Sequence, residues 1–385
     1  MSSSDEKETI RLINKIERRE ILLRIKKLKT KGGFPNQYTD ETKTASWTTS
    51  DVLLLHRKYN FLSNDDVSEI ITYLLKSYCI SIEKKYWLFG KNKREYYGWG
   101  SFSDTVNKQP IPIITSFVLL SLCGYQCLDS RLSKFFELAT IWLLNQQKNI
   151  DQLCDDDYEH TIGGFWDEKE DFYSNMYIII CLVELKKVYK NTNPTLHDAI
   201  QNKLANSKNF YASLTTEDIQ PNEIVFFKII CSLLKISIDI HIPFPETLSI
   251  KFDFKSTTST LYDENFSYEK PSVIYYLYIA ALDRTFYKNY KTEINNLLRL
   301  IEDEQEKMGF WTKRNQNCLW LTCDILILLR LFEESLSSEK NCFYREMCNT
   351  HFKLPLSISL LHYIKVAWRI KSRLSKAYKL YSIFS

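Results

Sequence analysis

The chain is poor in helix breakers, with 9 glycines and 9 prolines among 385 residues. So few turn formers exclude a fold of many tight hairpins and leave helices as the dominant element. The longest uncharged run, from Gln109 up to Asp129, is interrupted by Pro110, Pro112 and Gly124, so no membrane span is expected. The opening MSSSDEKETIRLINKIERRE lacks the short apolar core of a secretory leader, and the ten cysteines follow no regular framework. Reduced thiols in a cytoplasmic protein are therefore expected, Cys123, Cys181 and Cys231 lying in apolar helical text. No glycine-rich phosphate loop, Ser-His-Asp signal or zinc-finger spacing is present. A net charge of +4 is too small to imply nucleic acid, and none is expected as a partner.

What the sequence does hold is a globular balance, 44% hydrophobic and 25% charged, and an internal repeat. Helical text recurrently ends in a glycine followed by an aromatic residue. DEQEKMGFW places Gln305 four residues before Gly309 and six before Trp311. FFELATIWLLNQQKNI ends in Gln146 and Gln147, and after an acidic insertion the chain reaches GGFW at Gly163 to Trp166. VSEIITYLLKSYCI leads through a longer insertion to Gly98 and Trp99, and the N-terminal helical text ends in KTKGGFP, Gly32 to Pro35.

The segment after each turn recurs as well. Thr49, Thr115, Ser174 and Thr322 each open a strongly apolar helix, and Asp51 and Asp324 share the place two residues later. Two further apolar segments, from Pro221 and from Lys270, read as the same element with degenerate partners. An amphipathic helix facing water, paired with a helix that is apolar nearly all round, predicts an all-α (α/α)6 toroid of helical hairpins over residues 1–335. Its fourth and fifth repeats are degenerate, and basic helices stand at both ends of the chain. In each turn the glycine allows a sharp exit, and the aromatic ring wedges between neighbouring pairs.

The pairing of WLLNQQ with GGFW, and of DEQEKMGFW with a following Thr-Cys-Asp helix, resembles the QW repeats of the terpene cyclase and prenyltransferase toroid superfamily. The likeness runs over roughly residues 10–335, and of the copies Gln305 to Trp311 is nearest to the uninterrupted spacing. It implies a central cavity that takes an apolar, isoprenoid-like ligand, or a peptide or protein at its mouth. Squalene-type cyclases protonate their substrate with a DxDD motif, which this sequence lacks. The nearest text is DEKED, which offers Asp171, and Asp324 is the other candidate acid. The protein prenyltransferases imply a zinc set, for which Cys323, Asp324 and His351 are the candidates. Asp155, Asp156 and Glu159 have the DDxxE spacing that class I prenyl synthases use for magnesium, although here they sit in an insertion. Each acidic group has an alternative reading as a solvated loop, and each thiol as a buried core group.

Asp51, Asp171, Glu223 and Asp324 all lie near apolar-helix starts, so an inverting glycosidase toroid stays open, whereas the Cys-His-Gly element of lanthionine cyclases is missing. Asp51, Tyr173, Tyr177, Glu223, Tyr275, Tyr278 and Thr322 are the expected cavity lining. Rings there suit carbocation or apolar chemistry, or they simply fill a core low in small residues. An interaction scaffold without catalysis fits the same text, because binding needs no placed acid. Residues 336–385 form a separate extension, with seven basic residues and no acid from Lys353 onward. Its apolar stripe suits peripheral contact with an anionic membrane, a partner, or the toroid itself.

Overall fold

A computed structural model describes residues 4–35, 44–87, 90–100, 110–123, 125, 130–148, 164–166, 171–215, 219–220, 223–237, 257–258, 267–268, 272–305, 311–313, 316–317 and 319–336. It is mostly helical. The helices are α1 (Ser4–Lys15), α2 (Arg19–Lys27), α3 (Ser46–Tyr59), α4 (Asn64–Lys76), α5 (Pro112–Leu122) and α6 (Ser130–Asn145). After them come α7 (Phe172–Tyr189), α8 (Pro194–Ser213), α9 (Ile224–Leu234), α10 (Tyr276–Leu282), α11 (Arg284–Asn289), α12 (Lys291–Asp303) and α13 (Leu319–Leu336).

The apolar segments are the buried ones. Every residue of α5 from Ile113 to Leu122 is buried, and α7 is buried without a break from Phe172 to Leu182. A helix with apolar residues all round has no water-facing side, so it must be covered on every flank. Its neighbours do this: α3 packs on α5, α5 on α7, α7 on α9, α9 on α10, α10 on α13, and α13 on α3. The amphipathic α4 and α12 bury only one stripe, such as Val67, Ile70, Ile71 and Leu74 on α4. Among the described residues no helix is long and apolar enough to cross a membrane.

The glycine-aromatic turns join the two kinds of helix by hydrogen bonds in both directions. Inward, the backbone N–H of the aromatic residue donates to a polar side chain of the apolar helix: Phe34 to Thr49 Oγ1 at 2.9 Å, Trp99 to Thr115 Oγ1 at 3.0 Å and Trp311 to Thr322 Oγ1 at 3.3 Å. Outward, the indole Nε1 donates to a carbonyl of the amphipathic helix just left: Trp99 to Leu74 at 2.6 Å, Trp166 to Leu143 at 2.8 Å and Trp311 to Ile301 at 2.9 Å. Each acceptor stands two residues before its helix ends, at Lys76, Asn145 and Asp303. The last four carbonyls of a helix have no intrahelical donor, so the indole satisfies a group that would otherwise be buried unpaired.

The glutamines act one step further out. Gln147 Nε2 donates to Lys203 O of α8 at 2.9 Å, and Gln305 both donates to Glu17 O at 2.8 Å and accepts from Glu17 N at 3.2 Å. Gln147 thus ties the segment after α6 to α8, and Gln305 ties the segment after α12 to the break between α1 and α2. Thr9 Oγ1 of α1 continues that contact, 2.8 Å from Asn295 Oδ1 and 2.9 Å from the Tyr287 hydroxyl.

The structure adds detail that the sequence reading did not carry. The N-terminal helical text is two helices, α1 and α2, broken before Arg19. The insertion before Trp99 is an antiparallel β-hairpin, Tyr78–Trp87 paired with Gly90–Trp99. In the third repeat the acceptor for the turn is Asn175 Oδ1, 2.8 Å from Trp166 N, and not Ser174. Ser174 is taken instead by the Asp171 cap, its hydroxyl donating to Asp171 Oδ2 at 2.7 Å. The apolar α9 is preceded by α8, a helix of 20 residues. The extension 336–385 lies outside the described residues from position 337 on.

Two expectations about stability come from this wiring. At Gly164 φ is +153°, and an added Cβ would sit 2.7 Å from Asn206 O and 2.9 Å from Phe210 Cβ, both on α8. Gly164→Ala should therefore cost about 2–4 kcal/mol, read as a lower thermal midpoint by calorimetry. His56 is buried at the end of α3 with Nδ1 accepting from Leu62 N at 3.0 Å, and burial, aided by Arg57 and Lys26, pushes its imidazole down to about 4. The unfolded chain binds that proton near pH 6.5, so stability should fall as pH drops from about 6.5 to 4, by on the order of 3 kcal/mol. In urea titrations His56→Gln should flatten this dependence.

Candidate functional site

Four of the apolar helical segments bring polar groups together in the core. Asp324 stands in the second turn of α13, its site fixed by Thr322 two residues earlier, which anchors Trp311. Asp51 occupies the same place on α3, two residues after Thr49, and α3 packs on α13. Tyr173 and Tyr177 lie four apart on α7 and so share a face. Tyr275 ends the 3-10 turn Ser272–Tyr275 that leads into α10.

The oxygens of Asp324 and the three tyrosines form one network. The Tyr275 hydroxyl donates to Asp324 Oδ2 at 3.1 Å, the Tyr177 hydroxyl donates to Oδ1 at 3.3 Å, and the two hydroxyls are 2.5 Å apart. The Tyr173 hydroxyl is 3.5 Å from that of Tyr275. Rings enclose the network. Phe226 of α9 meets Tyr173 and Tyr275 edge-on with centroids 5.2 Å away in each case, and Phe117 of α5 lies 4.4 Å from Tyr177. Such edge contacts are worth about 0.5–1.5 kcal/mol each beyond burial.

The electrostatic consequence falls on the two acids. Asp51 is 3% and Asp324 4% exposed, and removal from water disfavours the ionised form of both. Burial pushes the Asp324 carboxyl up to about 7, with the hydroxyls of Tyr275, Tyr177 and Tyr173 pulling it back down. Asp51 is held well above the usual carboxylate range, first by burial and then by the charge of Asp324. The protonated form of Asp324 is therefore favoured up to about pH 7, and the tyrosine hydroxyls that donate to its carboxylate oppose that shift.

The other candidates are placed differently. Asp171 caps the N-terminus of α7, accepting from Ser174 N at 3.1 Å. Glu223 is buried at the start of α9, where its carbonyl accepts from Phe226 and Phe227 N–H groups. Tyr278, one turn beyond Tyr275, is buried with Glu184 of α7 as its charged neighbour. Thr322 serves the Trp311 turn. Cys323 is buried beside Asp324 in sequence, and among the described residues no group of three His, Cys, Asp or Glu is placed to hold a metal ion. His351, Asp155, Asp156 and Glu159, on which the zinc and magnesium expectations rested, lie outside the described residues.

Sequence reasoning missed Phe117, Phe226 and Asn175. Phe226 follows Glu223 by three residues in PNEIVFF, a signal legible only once that segment is aligned as an apolar helix. No family model, curated protein or solved structure matches the chain.

The raised carboxyl sets a pH dependence. Between about 4 and 7 folded Asp324 holds a proton that unfolded Asp324 has released, so its contribution to stability is full at low pH and is lost as pH rises through about 7. Asp324→Asn cannot ionise. Its unfolding free energy relative to the parent should therefore shift in the variant's favour between pH 4 and pH 8, measured by urea unfolding at both.

Proposed function

We propose that the protein is an (α/α)6 toroid of the terpene cyclase and prenyltransferase kind, whose centre receives an apolar, isoprenoid-like ligand carrying one polar group. The toroid is supported by the order of packing, in which the apolar helices α3, α5, α7, α9, α10 and α13 each touch the next and the last touches the first. The Gln and Trp hydrogen bonds at successive amphipathic helices support it further.

The observation that carries the ligand reading is the Asp324 carboxyl, bonded to Tyr275 and Tyr177 within a wall of aromatic rings. An aromatic wall suits an apolar chain, and one acid in it fixes which end of that chain is polar. The value near 7 also selects among chemistries. A group that is half ionised at neutral pH exchanges protons well with an oxygen or nitrogen. Alkene protonation demands a far stronger acid, which the missing DxDD would have supplied. In this reading Asp324 acts as acid and base toward a heteroatom, Tyr177 and Tyr275 orient its carboxyl, and Asp51, itself favoured in its neutral form by burial and by the charge of Asp324, stands as a second buried acid.

A second reading, an interaction scaffold, draws on one observation: Tyr173 and Tyr275 are each only 1% exposed, as in a core that serves the fold alone. The two readings part in a titration. Farnesol added to the purified protein should quench or shift tyrosine emission with saturation, and Tyr275→Phe should weaken it about tenfold or more while the thermal midpoint moves by a few degrees at most. If farnesol leaves the spectrum unchanged while Tyr275→Phe lowers the midpoint strongly, the cluster is a structural core and the ligand reading is dropped.

A further inference from the structure

The strongest feature outside the central acids is a cleft of about 480 Å³, open to solvent along one side, between α2, the end of α3 and the last turns of α13. Its cationic members are Arg18, Arg19 and Arg330, and its one acid is Glu333. That acid is already shared: Arg18 Nη1 lies 3.1 Å and Arg330 Nη1 2.9 Å from the same Glu333 Oε2. Arg330 Nε also lies 3.2 Å from Glu334, a carboxylate that Lys58 shares at 2.8 Å, so Arg18, Arg19, Arg330 and Lys58 outnumber Glu333 and Glu334 and, with Arg19 exposed, leave the cleft positive. Among the described residues Leu23 is the most exposed large hydrophobic side chain, at 53%, and it lines the same cleft with Leu22 and Phe61.

The geometry points to this cleft as a docking site for an acidic peptide segment of a partner protein, one carrying Asp or Glu next to a large apolar residue. Charge complementarity chooses the sign, because guanidiniums pair bidentately with carboxylates and are enriched at such interfaces. The open side chooses the size of the occupant. Sites for small molecules enclose most of their ligand, whereas an open cleft leaves it half in water and suits a chain that continues beyond the cleft. The apolar anchor covers Leu23 and Phe61, and the acids meet Arg19 and the outer faces of Arg18 and Arg330. The chain's own segment from Lys353 onward, with seven basic residues and no acid, carries the wrong charge for this role.

The test uses a fluorescein-labelled peptide of repeating Glu-Leu-Phe units, its Lys-Leu-Phe counterpart, and the full-length chain. Anisotropy should show binding of the Glu peptide alone, weakened by added salt as exposed charges are screened. Arg19→Glu combined with Leu23→Ser, both at exposed positions, should weaken it about tenfold or more with circular dichroism unchanged. Equal binding of the Lys peptide, no binding of the Glu peptide, or indifference to the double variant overturns the proposal. So does a dimer in sedimentation that the double variant dissociates, which would assign the cleft to a second copy. Cross-links from the α2 face to residues 353–385 that block the Glu peptide would likewise assign it to the chain's own tail.

Discussion

The indole of the turn tryptophan ties each amphipathic helix to the apolar helix that follows it. A buried helix end presents carbonyls without donors, and a buried turn presents an N–H without an acceptor. Trp99 and Trp311 each settle one of both kinds, through Nε1 to the helix behind and through the backbone N–H to the helix ahead. The ring itself buries on the order of 150–250 Å² of surface. Apolar burial supplies most of the favourable free energy, but it is non-directional. The hydrogen bonds decide the angle and register at which each apolar helix enters the core, and the placement of Asp324 two residues after Thr322 follows from that register.

The contacts of α1 with α12 and of α3 with α13 depend on the same division of labour. Ion pairs at the edge, such as Arg299 with Glu8 at 3.1 Å, have both side chains about half exposed and contribute at most about 1 kcal/mol. The contacts that matter more are buried. Trp47 and Trp320 approach with ring centroids 6.1 Å apart, the Tyr59 hydroxyl donates to Leu326 O at 2.9 Å, and Lys58 meets Glu334 at 2.8 Å with its side chain 1% exposed. Glu334 also meets Arg330 Nε at 3.2 Å, so the pair is part of a larger charge cluster. These contacts specify α3 as the neighbour of α13 more than they stabilise the fold.

Against this background the central acids run counter to stability. Two buried carboxylates near one another raise the free energy of the folded state whenever either ionises. A core built for stability alone would place leucine at Asp51 and Asp324, as it does at Leu53, Leu54 and Leu326 around them. The placement of Asp324 among hydrogen-bonding tyrosines is the physical ground of the ligand proposal.

The helical class, the repeat and the candidate acids were legible in the sequence because periodicity and turn chemistry are local. Apolar text without a polar face identified α5, α7 and α13 as buried, and the recurrence of hydroxyl and acid in Thr49-x-Asp51 and Thr322-x-Asp324 placed two carboxylates in equivalent positions. What the text did not carry was which equivalent residues meet. Asp171 and Asp324 look alike as acids near helix starts. One is used by its own helix as a cap, and the other is carried into the core, where helices far apart in sequence surround it. Likewise Ser174 and Asn175 differ by a single position, and only the direction of the side chain from α7 decides which one receives Trp166. Local pattern determines what kind of element a segment forms and which face is apolar. Partner choice, carboxyl ionisation and the docking cleft arise from groups up to some 300 residues apart, such as Arg18 and Glu333, and exist only once the packed helices exclude water between them.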